Sequence, residues 1–370
     1  MLSVNRQVTG KYRYKLELKE RMRENKELFL PLIETERELE EEMSKPSPEV
    51  VKVISELDGD IIILGVGGKM GPSLAKLVKR AIKEAGVDKK VIGVSRFSSP
   101  EIKKELEDFG IKTIRCDLLD QNSLDELPDI PNVIFMAGRK FGSTGNEPLT
   151  WAMNTFLPGI VVKKFKDSQI VALSTGNVYP LVSVESPGSK ESDSPGPIGE
   201  YAQSCLGRER IFQYFCSQFK TPATLIRLNY AIDLRYGVLL DVAQKVFNKI
   251  PIDLTMGYVN VIWQGDANSF IIQAFTLCGV PPKILNVTGP ETVSIRSLAM
   301  KFGEIFKKKP VFKNKEAETA LLSDASQCHN LFGYPKVTLK QMIGWVAHWV
   351  LINGPTLNKP THYQEREGRF

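Results

Sequence analysis

The 370-residue sequence predicts an α/β protein, a doubly wound parallel sheet with a smaller α+β lobe folded against it. Three observations carry that expectation. Ile61-Ile62-Ile63-Leu64 is a run of four large aliphatics, too short for a helix and bounded by turn residues, as expected of a strand buried on both faces. A glycine-rich turn, Gly65-Val66-Gly67-Gly68-Lys69-Met70-Gly71, follows at once, and Pro72 then opens a helix at the position where its missing N–H costs nothing. Downstream, short apolar segments and helical segments alternate as βαβ units do.

Taken in order, residues 1–50 are charge-dense and read as a helical N-terminal extension, with helices over 15–26 and 34–42 separated by Pro31. Pro46 and Pro48 mark its end, and 49–57 is a short amphipathic helix leading into the first strand. Strands are predicted at 61–64, 91–94, 111–114, 132–136, 169–173 and 223–228, with helices at 72–85, 100–109, 149–165 and 200–219 between them. The remainder is less regular. It has a helix at 238–248, strands near Ile252 and Val259, a helix at 267–276, a strand at 284–287, and helices at 295–306, 325–332 and 339–351. This divides the chain into a Rossmann-type nucleotide-binding domain at 51–230, rejoined by 259–283, and a substrate-binding lobe at 231–258 and 284–354. Residues 355–370 are polar and aperiodic, either a tail or a strap.

Composition narrows the class. Hydrophobic content of 42% and charged content of 25% exclude wholesale disorder. The net charge of +6 comes from basic and acidic residues interspersed, so anionic small molecules are expected as partners and nucleic acid is not. The cysteines at 116, 205, 216, 278 and 328 are scattered and odd in number, which fits neither a disulfide framework nor a zinc site and points to a reducing cytoplasm. His329, His348 and His362 lack metal-ligand spacing, so no metal is expected. No segment approaches the ~18 apolar residues of a membrane span.

The glycine turn is a pyrophosphate cradle by its chemistry. Glycines at 65, 67, 68 and 71 let backbone N–H groups, with Lys69 and Met70 among them, approach phosphate in front of a helix N-terminus. The second strand ends in Val94-Ser95-Arg96, with no carboxylate to hold a ribose 2′-OH, whereas Arg96 can pair with a 2′-phosphate. Lys69 adds a further positive charge, so NADP is favoured over NAD. Asp117 and Leu118, after the third strand, would lie beside the adenine, Asp117 being equally suited to capping a helix. Met136-Ala137-Gly138, after the fourth strand, would line the same site.

Three later segments resemble the extended short-chain dehydrogenase/reductases, the NAD(P)-dependent epimerase/dehydratase family. Leu173-Ser174-Thr175-Gly176-Asn177-Val178-Tyr179 is similar to its Ser-Ser/Thr-x-x-Val-Tyr segment. Tyr201-Ala202-Gln203-Ser204-Cys205 resembles its Tyr-x-x-x-Lys, and Arg227-Leu228-Asn229-Tyr230 its Arg-x-x-Asn-Tyr-type element. The resemblance extends over about 59–350. It implies that Tyr201 is the acid/base of hydride transfer at a carbinol or ketone, that Thr175 holds the substrate oxygen, and that Tyr201 and Asn154 also contribute to the cofactor site. Asn177 and Asn229 would contact a sugar or nucleotide-sugar substrate, and the helices 149–165 and 200–219 would pair in a homodimer.

One residue departs from the pattern. Cys205 stands where the family has lysine, and a thiol carries one weak donor and no positive charge. Either another cation (Arg208, Arg139 or Lys140) has taken its role, or Cys205 is itself catalytic, or the protein binds a dinucleotide as a regulatory or scaffold protein without turning it over. Gly176-Asn177 lacks the Asp-Glu pair used for dehydration, so oxidoreduction or epimerisation through a keto intermediate is the expected chemistry. Trp151 is expected in packing or an interface, while Tyr236, Trp263, Gln264 and Asp266 flank the expected cleft, core packing serving Trp263 equally well. Arg96→Ala is expected to weaken NADP binding roughly tenfold while sparing NAD, as loss of a charge-assisted contact should, and titration of dinucleotide fluorescence measures it.

Overall fold

A computed structural model describes residues 32–140, 142–359 and 361–369. The predicted helix at 15–26 lies outside them. The described chain opens with helix α1 (Glu36–Met43), which begins in a capping box: Thr35 Oγ1 accepts from Glu38 N at 3.1 Å and Glu38 Oε2 accepts from Thr35 N at 3.0 Å. Helix α2 (Pro48–Glu56) starts from Ser47, whose side chain accepts from Val50 N. Seven parallel strands then form one sheet, β1 (Ile61–Leu64), β2 (Val91–Ser95), β3 (Lys112–Arg115), β4 (Asn132–Phe135), β5 (Gln169–Thr175), β6 (Ala223–Leu228) and β7 (Lys283–Val287), in the order β7-β6-β5-β4-β1-β2-β3. Central β1 and β4 are buried throughout, β1 as its unbroken aliphatic run requires, whereas edge strand β3 exposes Lys112 and Arg115.

Both faces of the sheet are covered. On one lie α2, α3 (Gly71–Ala85), α4 (Pro100–Asp108) and a helix at Gln264–Gln273, through Ile54, Leu77, Leu106 and Phe270. The other carries short helix α5 (Gln121–Asp125), a broken helix made of α6 (Glu147–Trp151) and α7 (Leu157–Lys164), and α8 (Gly199–Phe219), through Leu124, Val161 and Phe212. A separate core holds the second lobe, built on helices Val238–Asn248, Ile295–Phe306 and Leu339–Leu351. Leu39 and Met43 of α1 are fully buried in that same core. The C-terminal segment crosses this lobe: Leu357 N donates to Arg235 O at 3.0 Å, Thr361 Oγ1 to Asp241 Oδ2 at 2.6 Å and Arg366 Nη1 to Thr319 O at 2.7 Å.

The chain leaves β1 toward β2 and β3 on one side and returns to β4 on the other. The carboxyl ends of β1 and β4 therefore diverge into a crevice, the place where sheets of this kind bind ligands. Below it lies a buried polar network. Glu209 of α8 pairs with Arg227 of β6, Nη2 to Oε2 2.7 Å, with both side chains almost wholly shielded from water. Ser174 Oγ donates to Glu209 at 2.6 Å, Arg227 Nη1 to Tyr179 Oη at 2.7 Å, and Tyr179 Oη to Asn286 Oδ1 at 2.8 Å.

The expected helix at 149–165 differs in detail. It is α-helical at Glu147–Trp151 and Leu157–Lys164, with a π-helical turn at Ala152–Phe156 between. Pro158 supplies the reason, because it has no N–H to donate to the Asn154 carbonyl one turn before it. Short helix Gln121–Asp125, capped by Asp120, and the two-residue strands of the second lobe are too brief to leave a periodic signature. Glu209→Gln is expected to cost about 3–5 kcal/mol of stability, since it leaves Arg227 buried beside a neutral partner, and urea denaturation reads it.

Candidate active site

The glycine turn closes tightly because there is no room for side chains. Gly65 has φ +92°, and a Cβ there would come within 2.7 Å of Ala137 N, where β1 and β4 diverge. At Gly71 a Cβ would meet Val66 O at 2.0 Å, which ties the start of α3 onto the turn. Helix α3 has no side-chain cap and no acidic residue in its first turn. Its first N–H groups and dipole are thus directed at the crevice without a built-in anion.

From this turn a trench runs two ways. One arm is a cavity of about 220 Å³ lined by Gly65, Gly67, Gly68, Ser95, Arg96, Asp117, Leu118, Met136, Ala137 and Gly138, together with Ser98, Cys116 and Met153. Arg96 is exposed on its rim. Asp117 Oδ1 accepts from Leu119 N at 3.1 Å, so it shapes the loop, while Asp120 caps the following helix. Lys69 does not join Arg96. Its Nζ donates to Ala231 O at 2.9 Å and lies 4.5 Å from the Tyr236 ring centroid, in the other arm.

That arm, about 330 Å³, shares Gly65, Gly68, Met136 and Gly138 with the first and brings together Lys69, Met70, Lys140, Thr175, Asn177, Tyr201, Asn229 and Tyr236. Lysines line it and carboxylates do not. Thr175 ends β5, and its Oγ1 accepts from Asn177 N at 3.2 Å, capping a single 3₁₀ turn at Gly176–Val178. The Tyr201 phenol faces Thr175 and packs against Cys205. Burial, reinforced by the neighbouring thiol, holds its ionisation above the ordinary tyrosine value, while Thr175 and Arg208 pull the other way. Cys205 lies behind Tyr201, packed against Val178 and Tyr179, and burial likewise raises its thiol. Burial pushes the amines of Lys69 and Lys140 down to about 8, opposed by Asp233 in the first case and Cys205 in the second.

Asn154 stands behind the trench and builds part of its wall. Its Oδ1 accepts from Arg139 N and Arg208 Nη2, both at 2.8 Å, and its Nδ2 donates to Arg139 O at 2.8 Å and Ser204 Oγ at 3.0 Å. The carbonyl that Pro158 leaves free accepts from Arg208 Nε at 3.4 Å. Arg208 Nη1 donates to Leu173 O at 2.6 Å. One asparagine and one arginine therefore join the loop after β4, the π turn, β5 and α8. Of the residues weighed between cleft and core, Tyr236 lines the trench. Trp263 is buried edge-on against Trp345, Gln264 Nε2 donates to Ser73 Oγ, and Asp266 accepts from Lys336 N and Val337 N. Trp151 Nε1 donates to Glu200 on the outer face of α8. Glu209 and Asn286, which hold the framework beneath the site, belong to none of the motifs read from the sequence.

The fold is that of an α/β protein of the doubly wound class with a glycine-rich turn after β1. Residues 61–232 match the model of the NAD dependent epimerase/dehydratase family. No curated protein matches it in sequence. Among solved structures it is similar to UDP-glucose 4-epimerase with UDP-glucose from Thermotoga maritima, at 17% identity over 79% of this chain and 98% of that one, TM-score 0.64. It is similar also to UDP-glucuronic acid 4-epimerase from Bacillus cereus in complex with UDP-glucuronic acid and NAD, at 18% identity over 80% and 99%, TM-score 0.66. A putative epimerase from Burkholderia cenocepacia aligns at 15% identity over 80% and 99%, TM-score 0.63.

Asn154→Ala is expected to remove roughly 2 kcal/mol or more of stability, because it strands buried groups of Arg139 and Arg208. Hydrogen exchange at the Arg139 and Lys140 amides should accelerate, whereas exchange in β1 should not.

Proposed function

We propose that the protein is an NAD(P)-dependent oxidoreductase or epimerase acting at a carbinol or ketone of a sugar-like substrate. The observation that carries this reading is the trench itself, where an uncapped helix N-terminus and a glycine-rich turn lead to a half-buried Tyr201 beside Thr175. The residues fit a dinucleotide. Gly65, Gly67, Gly68 and Gly71 would admit the pyrophosphate, Met136, Ala137 and Gly138 would flank it, and Ser95, Arg96, Asp117 and Leu118 would receive the adenosine end. NADP is preferred over NAD because the exposed Arg96 lines that arm, although the Bacillus cereus enzyme is described with NAD. The dinucleotide, when bound, supplies hydride chemistry at the substrate carbon.

The chain's own residues manage the proton. Thr175 orients the substrate oxygen, and Tyr201 takes the proton from a carbinol or returns it to an alkoxide. Asn177 and Asn229, with Tyr236 opposite, offer hydrogen bonds and an aromatic face to a polyol. The relatives named for UDP-glucose and UDP-glucuronic acid make a sugar or nucleotide-sugar the first substrate class to test. The outer faces of the 147–164 and 199–219 helices expose Phe156 and Tyr214 around an apolar groove, which supports a homodimer. A cytoplasmic setting follows from the five free cysteines. The raised phenol and the buried thiol at 205 favour one alternative, a dinucleotide-binding regulatory or scaffold protein.

Thermal shift with NAD and NADP, followed by turnover assays on keto-sugars and nucleotide-sugars, tests the reading. A raised melting temperature is expected with NADP first, and Tyr201→Phe should lower turnover by about 10²–10⁴. Binding without turnover, unchanged by Cys205→Lys, would establish the alternative, and failure to bind either dinucleotide would overturn both.

A further inference from the structure

A buried phenol is a poor proton acceptor near neutrality unless a positive charge stands beside it. The groups facing Tyr201 come from several elements. Its own helix brings Cys205 and Arg208. The Arg208 charge favours the phenolate, but its nitrogens are committed to Leu173 O and Asn154 and its guanidinium lies 5.7 Å from the Phe135 ring centroid. From β5 comes the neutral Thr175. The far wall of the trench carries Lys69, Tyr230 and Tyr236, and Lys69 is turned onto Ala231 O and the Tyr236 ring. The loop after β4 brings Lys140, with Nζ 5.6 Å from the Tyr201 ring centroid and close enough to Cys205 for the two to interact electrostatically.

We propose that Lys140 is the cation that poises Tyr201 for proton transfer, so that the loop after β4 carries the charge that Cys205 on the tyrosine's own helix does not. The proposal rests on the reading of Tyr201 as the acid/base group. Its geometry is built in: Asn154 grips both the N–H and the C=O of Arg139, so the chain enters residue 140 from a fixed backbone. A unit charge ~6 Å away, at an effective dielectric constant of ~20, is worth roughly a hundredfold in an ionisation constant. Lys140 acts through Tyr201 and is a positioning residue in that sense. Its amine, pushed down to about 8 by burial, is charged at neutral pH. As pH rises through that value the charge is lost and the Tyr201 proton becomes harder to remove, so the poise fails on the alkaline side.

The test follows the phenol and needs no substrate. Tyrosinate absorbance, taken as each protein minus its Tyr201→Phe counterpart, is titrated by stopped-flow pH jump on the full chain, with and without saturating NADP. Wild type, Lys140→Met, Lys140→Arg and the double variant Lys140→Met/Cys205→Lys are compared, circular dichroism showing that each is folded. If Lys140→Met does not fold, Lys140→Gln replaces it. The Tyr201 midpoint is expected to rise by about one pH unit or more in Lys140→Met, a tenfold change, to stay near wild type in Lys140→Arg, and to return in the double variant. An identical midpoint in wild type and Lys140→Met, or a wild-type Tyr201 that does not begin to titrate below about pH 8, where Lys140 is still charged, overturns the proposal. Failure of the wild type to bind either dinucleotide overturns the functional reading instead, and the titration without NADP then decides Lys140 alone.

Discussion

The active-site architecture depends on how α8 is fixed to the sheet. Two consecutive residues of that helix do it by different means. Glu209 enters the interior as a charge and is matched by Arg227 of β6, with Ser174 and Tyr179 completing the set. Arg208, one residue earlier, reaches Leu173 O and Asn154. A buried carboxylate or guanidinium without its partner would cost several kcal/mol, so α8 has one register in which both are satisfied. That register sets Tyr201 against Thr175, about two turns upstream of Arg208 and Glu209.

The same economy appears at the π turn. Pro158 withdraws one helical hydrogen bond, and the carbonyl thereby freed becomes an acceptor for Arg208. The local irregularity is thus part of the clamp that joins four elements at the trench wall. Asn154, whose side chain meets Arg139, Ser204 and Arg208, is satisfied entirely within the protein. It holds the site together from behind, and Lys140 gains its place over Tyr201 from the loop it anchors.

The trench is electrostatically lopsided. Lys69 and Lys140 line its chemical arm without a carboxylate among the lining residues, and burial lowers both amines. Tyr201 and Cys205, also buried, are shifted in the opposite direction, toward their neutral forms. Groups in such a setting respond strongly to each other and to an incoming anion, because little water is present to screen them.

The sheet, its glycine turn and the helix that follows were legible in the sequence because their signals are local: an aliphatic run, glycines where no side chain fits, and a proline at a helix start. The loss of lysine at position 205 was legible for the same reason. What the sequence did not disclose was partnership. Lys69, which by position belongs to the phosphate turn, points to the second lobe, and Arg208, a candidate cation by helical spacing, is tied into the clamp. Glu209 and Asn286 carry no motif, since their value lies in groups 18 residues (Arg227) and 107 residues (Tyr179) away along the chain. The sequence alone therefore determined the architecture and the kind of ligand cradle. Only the tertiary structure decided which charges face Tyr201, because that depends on strands and loops meeting across the sheet and not on neighbours along the chain.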